Sequence, residues 1–151
     1  MKIGIAADHA GLEQKQNIVS LLKSNGYQVI DYGADEFIPD DDYPDIIAPL
    51  AKAIQNQEVN RGIAVCGSGV GVSIAANKFA GVRAALVSET YSAHQGVEHD
   101  DMNLICVGGR VLGTSLIWEL LQAFLQAEFQ GEERFSRRLQ KVLKLEKDNF
   151  K

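Results

Sequence analysis

The chain has 151 residues, 46% of them hydrophobic and 23% charged, with a formal net charge of −5. That length bounds it to one domain with a substantial core, and the balance is ordinary for a soluble globular protein. The acidic charge, with no basic run or aromatic-basic interleaving, argues against nucleic acid as the main partner, and no apolar run approaches the roughly 18 residues of a membrane span.

In chain order, Met1-Lys2-Ile3-Gly4-Ile5 opens a first strand, Lys2 to Ala7, and does not read as a signal peptide. Asp8-His9-Ala10-Gly11 follows as a loop. Leu12 to Asn25 is a helix with Ile18, Val19, Leu21 and Leu22 near one face and Gly26 as its stop. Tyr27 to Asp31 is a second strand. A polar loop from Tyr32 carries the run Asp40-Asp41-Asp42, which reads as solvated. Pro44 suits the first turn of a helix reaching Gln57, with a kink or a later start expected at Pro49.

Gly62 to Cys66 is a third strand, and its helix runs from Val70 to Phe79. Arg83 to Val87 is a fourth strand, after which Ser88 is placed to cap a helix to Glu98. Leu104 to Gly108 is a fifth strand. Thr114 is placed to cap a helix to Gln130, and Glu132 to Lys147 forms a last, more polar one. Strand and helix alternating five times define a Rossmann-like three-layer α/β/α sandwich around a five-stranded parallel sheet. The predicted strand order begins 2-1-3 and leaves the last two strands open.

In such sheets ligands bind beyond the carboxyl ends of the strands. The stretch Cys66-Gly67-Ser68-Gly69-Val70-Gly71 lies at such an end, where peptide N–H groups turning into a helix favour an anion. It is a poor dinucleotide fingerprint: Val72 stands where a third glycine belongs, and the loop follows the third strand. Glu89, after the fourth strand, could still mimic a ribose-binding acid. Lysine is missing for a phosphate loop of the nucleotide-hydrolase kind. Cys66 is placed to be a proton abstractor, whereas Cys106 reads as a small buried hydrophobe. The two cysteines form no metal-spaced pair and suit a reduced, cytoplasmic protein.

Asp8 and His9 suit sugar hydroxyls or a phosphate, or else an Asx-turn. His99 sits in a polar link before the fifth strand, where it is a possible acid-base group. Arg110 follows the fifth strand. Arg134 and Arg138 share a helix face, which suits a phosphate or, more blandly, salt bridges to Glu132 and Glu133. No trustworthy metal-ligand spacing is present.

Together these pieces resemble the type B ribose-5-phosphate isomerases, a family that also holds allose- and galactose-6-phosphate isomerases. The carriers are Asp8-His9 with Gly11, Asp42-Tyr43-Pro44, Cys66 through Lys78, Gly81-Val82-Arg83, His99 through Asn103, Gly108-Gly109-Arg110 and Arg134 through Arg138. The resemblance implies interconversion of ribose 5-phosphate and ribulose 5-phosphate without metal or other cofactor. It implies Cys66 as the base, the amides of Gly67, Ser68, Gly69, Val70 and Gly71 as enediolate donors, and Ser68 as an aid to proton transfer. It assigns ring opening to His99, substrate contacts to Asp8, His9 and Asp100, and phosphate binding to Arg110, Arg134 and Arg138. It also implies a homodimer or larger assembly in which the last helix reaches a partner subunit.

Asp100 departs from the asparagine of many relatives, and a carboxylate there would oppose an enediolate. A hexose 6-phosphate isomerase and a phosphate- or nucleotide-binding module without chemistry remain the alternatives.

Overall fold

The computed structural model describes residues 1–150. Its elements are β1 (Lys2–Ala7), α1 (Leu12–Ser24), β2 (Gln28–Asp31), α2 (Tyr43–Gln55), β3 (Arg61–Cys66), α3 (Val70–Ala76), β4 (Ala84–Leu86), α4 (Thr90–Asp100), β5 (Leu104–Gly108), α5 (Thr114–Gln126) and α6 (Glu133–Asn149). All five strands are parallel, in the order β2-β1-β3-β5-β4. β5 lies inside β4 for a reason visible in the residues. Leu104–Gly108 is buried throughout, whereas the three residues of β4 stay partly or fully exposed, as suits a short edge strand.

The two-residue period of a strand sends alternate side chains to opposite faces. Ile3, Ile5, Ile63, Val65, Ile105 and Val107 pack with α1, α4 and α5, while Ala6, Ala64, Cys66 and Cys106 pack with α2 and α3. Bulk is thus concentrated on one face. The other is lined with small residues, and α2 approaches it so closely that a Cβ at Gly4 would lie 2.4 Å from a methyl of Leu50. α6 stands apart: of its 17 residues only Phe135 is buried. No helix among the described residues is long and apolar enough to cross a membrane.

Several expected boundaries shift. α2 starts at Tyr43 and carries Pro49 in its interior, so no later start occurs there. Ser88 does not cap α4. Glu89 does, its carboxylate accepting from Ser92 N–H at 3.0 Å, and hydrogen bonding from the Ser92 side chain and then from its N–H holds it below the usual glutamate range. The same bonds occupy the carboxylate that a ribose-binding role would need. Thr114 is the first residue of α5, behind Gly113 at the cap, and its hydroxyl donates to Gln14 at 2.9 Å. α3 ends at Ala76, not Phe79, and α5 at Gln126, not Gln130.

Candidate active site

At the carboxyl pole of the sheet a cavity of about 510 Å³ is lined by Asp8, His9, Ala10, Tyr43, Cys66, Gly67, Ser68, Gly71, Arg110 and Val111. Cys66 reaches it because it is the last residue of β3 and faces the α2/α3 side, where the chain turns into α3. Its Sγ accepts from Gly69 N–H at 3.1 Å, a contact that supports negative charge on sulfur. Val70 N–H donates to Ser68 Oγ at 3.2 Å. Two of the five amides expected to face an oxyanion are therefore engaged within the loop. Those of Gly67 and Ser68 make no hydrogen bond among the described residues.

The three glycines of the loop are not equally constrained. Gly69 has φ of +85°, and a Cβ there would also meet the carbonyl carbon of Val107 at 2.9 Å. Gly71 lies under the ring of Tyr43, 2.8–3.0 Å from where its Cβ would be. A Cβ at Gly67 would meet only ordinary contacts, among them the Arg110 side chain at 3.6 Å, so packing does not require glycine at this position. Arg110 itself is held by its own N–H to Gly67 O, and Gly109 N–H donates to Cys66 O at 2.7 Å. β5 and the thiol loop are therefore fastened to each other. Arg110 makes no ion pair among the described residues.

Asp8 forms the Asx-turn that was one of its two readings. Its Oδ1 accepts from Ala10 N–H at 3.0 Å and Gly11 N–H at 3.2 Å. Burial raises its carboxyl above the ordinary 3.8, against the pull of the turn amide of Ala10 and of His9. His9 is gripped by Asp41, from the run expected to be solvated. Asp41 accepts from His9 Nδ1 at 2.6 Å and from His9 N–H at 3.1 Å, and its side chain is only 7% exposed. The run Asp40-Asp41-Asp42 is therefore not simply solvated. Asp8, His9 and Asp41 bring potential ligand atoms within 4.8 Å of one another, and the hydrogen bonds just given account for where Asp41 and His9 sit. Cys106, wholly buried inside β5, has its thiol pushed far up by burial.

The remaining expected residues lie elsewhere in the chain. His99 belongs to the last turn of α4 and not to a polar link, because the helix continues to Asp100. α4 runs back from the carboxyl pole and hands over to the start of β5. Leu104 there registers with Gly62, four residues before Cys66, or about 13 Å of strand. His99 thus sits at the amino pole. Its ring stacks on Phe135, with centroids 3.9 Å apart, and its Nδ1 lies 2.9 Å from Gln95 Nε2.

Arg134 lies over the same Phe135 ring at 5.2 Å. The bland salt-bridge reading falls to Arg137, which bonds Glu133, while Arg134 and Arg138 make no ion pair among the described residues. Asp100 is exposed and borders an apolar groove between α4, β4 and α6. Arg83, Asp101 and Asn103 are structural: Arg83 Nη2 donates to Asp101 at 2.7 Å, and Asn103 ties the Gly81 turn to β4.

A buried thiol with an amide aimed at it, two free loop amides and an arginine without an ion pair among the described residues, all at the strand tips of a parallel sheet, form a pocket whose chemistry suits a small anion such as a phosphorylated metabolite. The particular family follows from comparison. Residues 3–142 match the Ribose/Galactose Isomerase family model, and the chain belongs to that family. It is 41% identical to ribose-5-phosphate isomerase B of Escherichia coli, over 96% of both chains. It is 40% identical to the D-erythrulose-4-phosphate isomerase of Pectobacterium atrosepticum, over 87% of this chain and 86% of that one. The structure superimposes on ribose-5-phosphate isomerase B of Mycoplasma genitalium with bound ribulose-5-phosphate. There the TM-score is 0.92 at 40% identity, covering 98% of this chain and 97% of the other.

Proposed function

We propose that this protein interconverts ribose 5-phosphate and ribulose 5-phosphate through an enediolate. The observation that carries the reading is Cys66: its sulfur sits at the wall of a cavity with an amide donor on it, in a chain of this family.

In the aldose-to-ketose direction the Cys66 thiolate takes the proton from C2 of the open-chain sugar. The electron pair forms the C1–C2 double bond, and the amides of Gly67 and Ser68 meet the negative oxygen. The same proton returned to C1 gives the ketose, while Ser68 assists proton transfer between the sugar oxygens. Asp8 and His9 hold the substrate and Arg110 its phosphate. Neither a metal nor a redox cofactor is needed for this proton transfer.

His99 as ring opener, Asp100 as a substrate contact, and Arg134 and Arg138 as phosphate ligands belong to the opposite pole of the chain. We therefore infer that the working unit is at least a homodimer in which the amino pole of one copy meets the carboxyl pole of the other. α6, with a single buried residue, is the element that reaches across. The test is turnover of the purified protein on ribose, allose and galactose phosphates and on D-erythrulose 4-phosphate, with and without chelator. Ribose 5-phosphate is expected to be turned over fastest and the chelator to change nothing. Faster turnover of a four- or six-carbon substrate would move the assignment within the family, a reading that the erythrulose phosphate relative keeps open. Cys66→Ala should lose at least about a hundredfold in kcat while still binding ribose 5-phosphate. A Cys66→Ala variant with unchanged turnover would overturn the mechanism.

A further inference from the structure

We propose that Asp41 is a positioning residue for His9, fixing the proton on Nδ1 and offering Nε2 to the ligand in the cavity. One carboxylate grips two donors of the same residue, the ring at 2.6 Å and the backbone N–H at 3.1 Å. A carboxylate only accepts, so Nδ1 carries the proton and the other ring nitrogen is the one left for substrate. The clamp is selective within its run. The Asp41 side chain is 7% exposed, whereas Asp40 and Asp42 on either side are exposed.

The loop that carries Asp41 is also anchored at its other end. The buried Lys15 ammonium donates to Asp31 at 2.8 Å and to Ala34 O at 2.5 Å, and Ala34 N–H donates to Ala7 O beside Asp8. Phe37 from the same loop meets the His9 ring edge-on, with centroids 6.1 Å apart. With the loop held at both ends and the ring braced on one side, His9 has its orientation before any ligand arrives. Asp8 and Arg110 are the other charged groups at the walls of this cavity.

This assignment rests on the isomerase reading only for its kinetic consequence, and the test separates the two. The probes are the protonation pattern of the His9 ring nitrogens, from long-range ¹H–¹⁵N spectra of the free protein, and KM for ribose 5-phosphate. Asp41→Ala is expected to lose the Nδ1–H form and to raise KM about tenfold with a smaller change in kcat. Asp41→Asn, which keeps an accepting oxygen, should retain that form and fall between. A spectrum and a KM that are unchanged in Asp41→Ala would overturn the proposal. If wild-type protein fails to turn over ribose 5-phosphate while the spectra change as described, the substrate reading fails and the positioning role stands.

Discussion

The two poles of this molecule differ in how much each accomplishes alone. The carboxyl pole is assembled within one copy: β3 ends in Cys66, the glycine loop follows at once, and β5, its neighbour in the sheet, delivers Arg110 against it through two backbone hydrogen bonds. The amino pole holds a histidine stacked on Phe135 and two arginines with no ion-pair partner among the described residues. Neither Cys66 nor its glycine loop is near it, since both lie at the opposite end of β3. One pole carries the proposed base and Arg110, and the other the proposed ring-opening histidine and two further proposed phosphate ligands, so the proposed site is divided between opposite poles of the chain. A closed pair with two-fold symmetry joins such halves twice.

The comparison can be broken first at the amino pole. His99→Asn should lower kcat about a hundredfold or more with cyclic substrate and much less with an open-chain analogue, if ring opening is its task. Equal losses on both would reassign the residue. Arg134→Ala should raise KM about tenfold or more, while Arg137→Ala, one helical position away from the proposed phosphate face and paired with Glu133, should leave KM within about twofold. Equal effects would show that the helix face is misread.

At the carboxyl pole, Gly69→Ala forces a positive φ on a side chain that also strikes the Val107 backbone. It should destabilise the fold by about 1–3 kcal/mol in denaturant unfolding and displace the amide that meets Cys66.

The smallest expected effect is a pH dependence at Asp8. Burial raises its folded-state pKa above the ordinary 3.8, so over that window the folded chain binds a proton more tightly than the unfolded one. Stability from this group therefore falls as pH rises through the window. Asp8→Asn removes the titration and keeps an oxygen for the turn amides. Its melting temperature relative to wild type should climb as pH increases from 3.8 and level off above the folded-state pKa. A gap that does not vary with pH would contradict this.

What could be read in the residues is what a local stretch announces, at either pole. The five strands and the thiol loop were legible because each is a local signal: an apolar run of strand length, or glycines directly after one. The placement of β5 inside β4 was readable in principle from the greater apolar weight of Leu104–Gly108, but only as a preference between neighbours. Asp41 escaped because its partner His9 lies 32 residues away, and nothing in a row of three aspartates says which one turns inward. The spacing ends the fourth helix at Glu98 and leaves His99 in a link, because a helix end is hard to locate when charged and polar residues continue past it. The extra residues carried it into α4. The relation between Cys66 and His99 belongs to no stretch of sequence, since it depends on the direction in which α4 runs back across the sheet.

Mixing two inactive variants, Cys66→Ala and His99→Asn, under conditions that let subunits exchange tests most directly whether the two residues meet across copies. In a mixed pair one site would contain both mutations and the other neither. Activity is expected to return on mixing, up to about a quarter of wild type for random pairing into dimers. If the mixture exchanges subunits and stays as inactive as its components, Cys66 and His99 do not meet across two copies, and the proposed active site is wrong.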